Sequence, residues 1–409
     1  MISCNTYRDK SYNQTYGIQV FSLFIISPLL SLIFIVNGMR QNIRTAYFMF
    51  ALFLSLLAYM LAPISDLASY GYLYYEYQNM SWPQFVTYQL QGEDFIMQIT
   101  EWLFAQGGIP FGFMRFLQTL LAFALLNSIF FYKIDHSDKI YSNSEILFRY
   151  VCYILIFPFV LMVGGVRFGF GVVVMLYGFH SYIDKKRKIA GILLLVTASF
   201  IHFSLLYYSL LSFILIHLNI SRKIACIALL AVVGMSFPLQ SYMEAYMLQN
   251  ELKGAGYLGD GIWGRQVDMI LGINAIVYHW GQRIMLLPLV FAFFKRYNSR
   301  NKWLRIWLSY LLFFACIYSA FTLAQRTTVC LMTCSVFLFL SLEENASKFS
   351  GAFRRIFFTC SVVICCFDLW THREQLLLSE YWRLAQPSVL TLTQEYDRAW
   401  LMQNAYDRF

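Results

Sequence analysis

KKRKIAGILLLVTASFIHFSLLYYSLLSFILIHLNISRK, residues 185–223, decides the architecture. Two basic clusters, Lys185 to Lys188 and Arg222 with Lys223, bracket the almost wholly apolar residues 189–221. As one helix that run would be about 50 Å long at ~1.5 Å per residue. The hydrocarbon of a bilayer is only about 30 Å thick. A single helix would also put the two clusters on opposite sides, whereas Lys and Arg collect on the cytoplasmic side of membrane proteins. A hairpin of two short helices over 189–217 returns the chain to the side it left. Its apex falls near His202. Each arm is about 20 Å long, which leaves the apex in the outer part of the membrane.

The rest of the chain reads the same way. Of its 409 residues, 59% are hydrophobic and 13% charged, where a soluble domain carries about a quarter charged residues. Apolar runs recur from end to end with no soluble block between them. The fold expected is all-α: a polytopic integral membrane protein with about 12 transmembrane helices in a single membrane domain over 1–409. The spans fall near 19–37, 46–63, 111–132, 148–163, 167–183, 189–202, 203–217, 224–240, 281–295, 303–322, 327–342 and 355–370. The polar residues 1–17 carry no small-residue cleavage site, so the first apolar run is read as a retained span.

Basic clusters fix the orientation. Arg40 and Arg44, Lys133 to Arg149, Lys185 to Lys188, Arg222 with Lys223, Lys295 to Arg305, and Lys348 to Arg355 are all assigned to the cytoplasm. Two larger loops then lie outside. Residues 64–109 hold no Lys or Arg but many aromatics and acids, as short interfacial helices do. Residues 241–280 are rich in glycine and carry Trp263 and Arg265, a composition suited to a lid. Residues 371–409 form an amphipathic tail expected on the outer membrane face. The net charge of +9 is accounted for by this inside bias rather than by nucleic acid, for which no aromatic-basic reading face is present. Cys330 and Cys334 share a helix face, but no second pair or histidine stands at metal-ligand spacing, so no metal and no cofactor is expected.

Charges in or beside spans are costly and mark function. This topology gathers Asp66, Glu101, Arg167 and His202 near the outer leaflet, with Arg115, Arg283 and Arg326 in the same layer. A guanidinium pairs in two-pronged fashion with phosphate, and a carboxylate or imidazole beside it could take a proton from a hydroxyl. Arg115 and Arg283, near span ends, also fit lipid headgroups. Gly164, Gly165, Gly169 and Gly171 around Arg167 permit the close backbone approach that a buried arginine needs.

The run Gly164-Gly165-Val166-Arg167, the basic turn Lys185 to Lys188, and Phe200-Ile201-His202-Phe203-Ser204 resemble the EpsG-like, Wzy-type bacterial polysaccharide polymerases. Ser65-Asp66 followed by Tyr70 and Tyr74, and Thr100-Glu101-Trp102, resemble the family's two outer acids. The order and spacing agree over about residues 20–220, and beyond that only the span layout and Arg326 do. Two departures stand out. Ala62 to Asp66 lacks the Arg and Gly of the family pattern, and Phe168 stands where the family usually has Gln.

The resemblance implies an inner-membrane glycosyltransferase. It would join undecaprenyl-diphosphate-linked repeat units into O-antigen, capsular or exopolysaccharide on the periplasmic side, with a flippase and a chain-length regulator as partners. Arg167 and Arg326, with Arg115 and Arg283, would hold diphosphate. His202 would be the base, with Glu101 or Asp66 in reserve, and Tyr70, Trp263 and Arg265 would touch sugar. The alternatives are a flippase for lipid-linked oligosaccharides, which usually shows two related halves, or another polyprenyl-sugar transferase.

Overall fold

The computed structural model describes residues 3–64, 66–90, 94–249, 273–318, 320–344 and 351–405, and among these there is no strand. The protein is a helical membrane protein. Within the expected membrane domain the chain divides into two compact units. One comprises Met1–Val151, Val160–Phe203 and His372–Phe409, and the other Cys152–Phe159 and Ser204–Thr371.

The first unit opens with α1 (Ser3–Ile26), α2 (Pro28–Arg40) and α3 (Arg44–Met60). The apolar run expected as one span over 19–37 is divided at Ser27. Pro28 has no N–H to continue α1, and the Ser27 hydroxyl accepts the Leu30 N–H at 3.4 Å as a cap on α2. The segment expected outside, 64–109, holds α4 (Asp66–Tyr77), α5 (Trp82–Tyr88) and α6 (Phe95–Gln106). Next come α7 (Phe111–Asp135) and α8 (Asn143–Ile156), the short α9 (Phe159–Gly164), α10 (Val166–Ile183) and α11 (Lys188–Ile201). The span expected over 148–163 is broken between α8 and α9 at Pro158, again for want of an N–H. Helices α10 and α11 approach closely because Gly178 and Gly191 face each other. A Cβ on Gly191 would lie 2.9 Å from the Gly178 carbonyl oxygen.

The second unit holds α12 (Leu205–His217), α13 (Arg222–Gln249), α14 (Ile273–Arg296), α15 (Lys302–Cys316), α16 (Phe321–Glu344) and α17 (Gly351–Thr371). Helix α15 is its core, with Trp303, Trp307 and Tyr310 fully buried. Hydroxyls stitch it to its neighbours: Ser212 meets Ser309 at 2.6 Å, and the Trp307 indole donates to Leu331 O and Ser335. Helix α13 bends by 60° at Pro238 and runs on to Gln249. The first residues of the expected 241–280 loop are therefore helical, as are those from Ile273. Its remainder, with Trp263 and Arg265, lies outside the described residues.

Among the described residues, only Phe111–Asp135 is by itself long and apolar enough to cross a membrane; the pair Arg222–Ser236 and Pro238–Tyr246, bent by 60°, passes the same test taken together, as a broken span or a re-entrant loop. Other apolar helices, such as Arg44–Met60 and Leu205–His217, have 17 and 13 residues, or about 25 and 20 Å. Residues 189–221 do not form one helix. Helix α11 ends at Ile201 and His202 is extended, with φ −151° and ψ 116°, before α12 begins at Leu205.

After α17 the chain returns to the first unit as α18 (Arg373–Leu378), a 3-10 turn at Tyr381–Ala385, α19 (Ser388–Leu392) and α20 (Arg398–Ala405). It is hydrogen-bonded there at both ends of its path: Ser388 Oγ donates to Phe24 O, and Gln375 donates to Ala62 O at 2.7 Å.

Candidate active site

Helix α6 organises the site. Its buried positions Met97, Glu101 and Ala105 recur every four residues, so Glu101 sits on the face turned into the protein. Glu101 is 1% exposed and Arg167, on the first turn of α10, is 8% exposed. Their side chains meet fork to fork. Arg167 Nη2 donates to Glu101 Oε2 at 2.8 Å and Nε to Oε1 at 3.3 Å. Close packing of α9 makes this possible, since a Cβ on Gly169 would stand 2.5 Å from the Met162 carbonyl oxygen.

Tyrosines from α4 complete the surroundings. The Arg167 guanidinium lies 4.8 Å from the centroid of the Tyr70 ring, an arrangement that favours the cation. The Tyr77 hydroxyl lies near enough to the same guanidinium to be influenced by its charge. Burial, then the Glu101 carboxylate, pushes Tyr77 up to about 12, so it stays neutral at physiological pH. Burial raises the Glu101 carboxyl above its ordinary value, and the Arg167 charge and hydrogen bonds oppose that rise.

His202 belongs to the same unit. Its ring is half-buried and meets Phe168, the residue after Arg167, edge to face at 5.2 Å between centroids. The helix break at His202 is held by α6. Asp94 Oδ1 accepts the Phe203 N–H at 2.8 Å, and Phe95 packs on Phe200 at 4.7 Å. Asp94 and Glu101 are two helical turns apart on one face. One helix thus carries both the acid that binds Arg167 and the acid that pins the residue after His202. The sequence reading counted Asp94 only among the outer acids; nothing in its spacing reveals which N–H it will meet.

The other expected site residues have these settings. Asp66 is exposed on the first turn of α4. Arg115 is 2% exposed and donates to the backbone carbonyls of Leu61 at 2.8 Å and Tyr59 at 3.1 Å. It satisfies carbonyls that the end of α3 leaves without helical partners. Arg326 is half-buried on α16, and Arg283 lies on α14 with its side chain outside the described residues; both belong to the second unit. Among the described residues no cluster of His, Cys, Asp and Glu is arranged for a metal.

A second buried polar cluster lies near the last turns of α7 and α10. His180 Nδ1 meets Asp184 Oδ2 at 2.8 Å, and Lys133 donates to Asp184 Oδ1 at 2.9 Å. The Tyr132 hydroxyl donates to the Asp184 carbonyl at 3.1 Å. Burial alone would raise the Asp184 carboxyl, but the His180 and Lys133 hydrogen bonds hold it below its ordinary value. In the sequence, the signal for this cluster is an acid four residues after His180, one helical turn away.

The fold and this pair define a class: helical membrane proteins that keep a carboxylate and a guanidinium locked together beside a break in a short apolar helix. The chain belongs to the EpsG family, whose model matches residues 44–373. Membership points to a polysaccharide polymerase role. No curated protein and no solved structure matches the chain.

Proposed function

We propose that the protein joins lipid-linked oligosaccharide repeat units, moving a growing glycan from its polyprenyl diphosphate to a sugar hydroxyl of an incoming unit. The observation that carries this reading is the buried, two-pronged Glu101–Arg167 pair, in a chain whose family points to polysaccharide polymerisation. The acceptor oxygen bonds to the anomeric carbon, the bond from that carbon to the diphosphate breaks, and the acceptor proton passes to a base.

The pair supplies both needs. A guanidinium fork fits phosphate oxygens as it fits a carboxylate. A diphosphate carries more charge than Glu101 and competes for the fork, so its arrival exchanges one partner for the other. Arg167 then stabilises the leaving group, and Glu101, released in a buried setting, accepts the proton. In this reading Glu101, freed from the fork, is the base, and His202, the base expected from the sequence, orients the acceptor. Tyr70 offers a ring to the guanidinium and to a sugar face. Arg326 stays a candidate anion contact and exposed Asp66 a peripheral one. This reading places about a dozen crossings in a bacterial inner membrane, with the pair toward the outside.

The test uses a host that makes the repeat unit but lacks its own polymerase. The parent chain restores polymer. Arg167→Lys keeps the charge but loses the fork, so it leaves lipid-linked single units unpolymerised at unchanged protein level. Normal polymer from Arg167→Ala cells removes the pair from the reaction.

A further inference from the structure

Helix α4 has two working faces. At ~100° per residue, Tyr70, Tyr74 and Tyr77 fall on one side of it. Tyr70 meets the Arg167 guanidinium through its ring face, Tyr77 lies within reach of the same charge, and the Tyr74 hydroxyl donates to Ile109 O. Ala68, Gly71, Tyr72 and Tyr75 fall on the opposite side, and this side is covered by the C-terminal tail. Leu401, on α20, is 0% exposed and forms one apolar cluster with Ala68 and Tyr75, against which Tyr72 and Trp400 pack. The fit is close, since a Cβ on Gly71 would stand 3.0 Å from Leu401 Cδ1.

Hydrogen bonds fasten the same contact. The Tyr75 hydroxyl donates to Tyr396 O at 2.8 Å, and the Tyr396 hydroxyl donates to Met60 O at 2.9 Å. Just before α4 the tail also grips both sides of one peptide-bearing residue. The Ala62 N–H donates to Ser379 Oγ at 2.9 Å and the Ala62 carbonyl accepts from Gln375 at 2.7 Å. The segment that does this lies almost wholly beyond residue 373, where the match to the family ends.

We infer that the C-terminal tail is a positioning element of the active site: it braces α4 from behind, so that the Tyr70 ring stays seated on Arg167, and Leu401 is the residue that locks it. An isolated helix of 12 residues such as α4 is marginal without tertiary support. With the tail released, its tyrosines have no fixed distance to the guanidinium, and the fork loses the partners that orient it. None of the tail residues touches the reacting groups; they act through α4. The activity part of this inference rests on the polymerase reading, whereas the bracing itself does not.

The experiment places a cysteine at Ala68, which is fully buried under the tail, and follows its labelling by a thiol reagent in isolated membranes, resolved by peptide mass spectrometry. Polymer per unit of membrane protein is measured in the same host as above. In Ala68→Cys alone the thiol is protected and polymer is normal. Adding Leu401→Asp raises labelling about tenfold and lowers polymer about tenfold, at unchanged amount in the membrane. Leu401→Met, which keeps the apolar volume, restores both. Should Leu401→Asp not accumulate, Leu401→Ala is read by the same two measurements. In the Leu401 variants, a labelled thiol with normal polymer overturns the inference, and so does a thiol that stays protected. If the parent makes no polymer, it is the polymerase reading that has failed, and labelling still decides whether the tail braces α4.

Discussion

Replacing Glu101 by Gln tests whether the buried pair does chemistry or only holds helices together. Gln keeps the size of Glu and accepts one hydrogen bond from Arg167, but it removes the charge. Arg167, 8% exposed, is then left as a buried cation without its counter-ion. Breaking such a pair from one side costs about 3–5 kcal/mol, while the loss of a general base is worth about 10²–10⁴ in rate. The two effects separate in a double variant. Glu101→Gln with Arg167→Gln removes both charges, so the stability loss largely reverses, because no uncompensated ion remains. The catalytic loss does not reverse. Thermal unfolding in detergent should therefore rank the parent and the double variant together above Glu101→Gln. Polymer in a polymerase-deficient host should be absent from both variants. If the double variant recovers polymer along with stability, the pair is a structural clip and the assignment of Glu101 and Arg167 to the reaction is wrong.

Other outcomes follow from neighbouring parts. His202→Gln should insert normally and lower polymer less than Glu101→Gln does; an equal or greater loss would return the role of base to the imidazole. A cysteine at Gly92 should react with a membrane-impermeant thiol reagent in spheroplasts and one at Asn143 should not; equal labelling would undo the orientation. For Asp184, whose carboxyl lies below its ordinary value, the native state favours the ionised form. Its stabilisation is present above the unfolded carboxyl pKa of about 4 and is lost as pH falls through the lower folded value. Asp184→Asn should thus lower stability at neutral pH by about 3 kcal/mol and flatten this acid-side loss, as read by unfolding in detergent between about pH 3 and 7; an unchanged acid limb would show that the carboxylate contributes nothing.

The sequence carried the site where chemistry and local rules sufficed. A costly arginine beside glycines marked Arg167, and an acid at the foot of a long apolar run marked Glu101; the structure brings them to 2.8 Å although 66 residues separate them. Ser27-Pro28 was also legible, since Ser caps and Pro opens helices, yet the apolar run around it dominated the reading. Arg115 shows what the sequence leaves open. An arginine near a span end looks the same whether it serves lipid, ligand or the orphan carbonyls of another helix, and only the position of α3 decides. The tail was out of reach altogether: its contacts join residues more than 300 positions apart, such as Tyr75 with Tyr396, and no periodicity encodes such a pairing.

A lone arginine could not wait in this setting for an anionic substrate. Uncompensated, it would draw water or displace its helix, because a buried ion without a partner loses far more solvation than packing returns. Glu101 removes that difficulty between turnovers and holds the fork planar toward one side. The same helix spends Asp94 on the backbone after His202, so any shift of α6 moves the acid, the guanidinium and the helix break together. Phe168 fits this scheme. Its ring meets that of His202 edge to face, so an apolar contact from that position helps to orient the imidazole. The arrangement makes Glu101 the group that must move when an anion arrives.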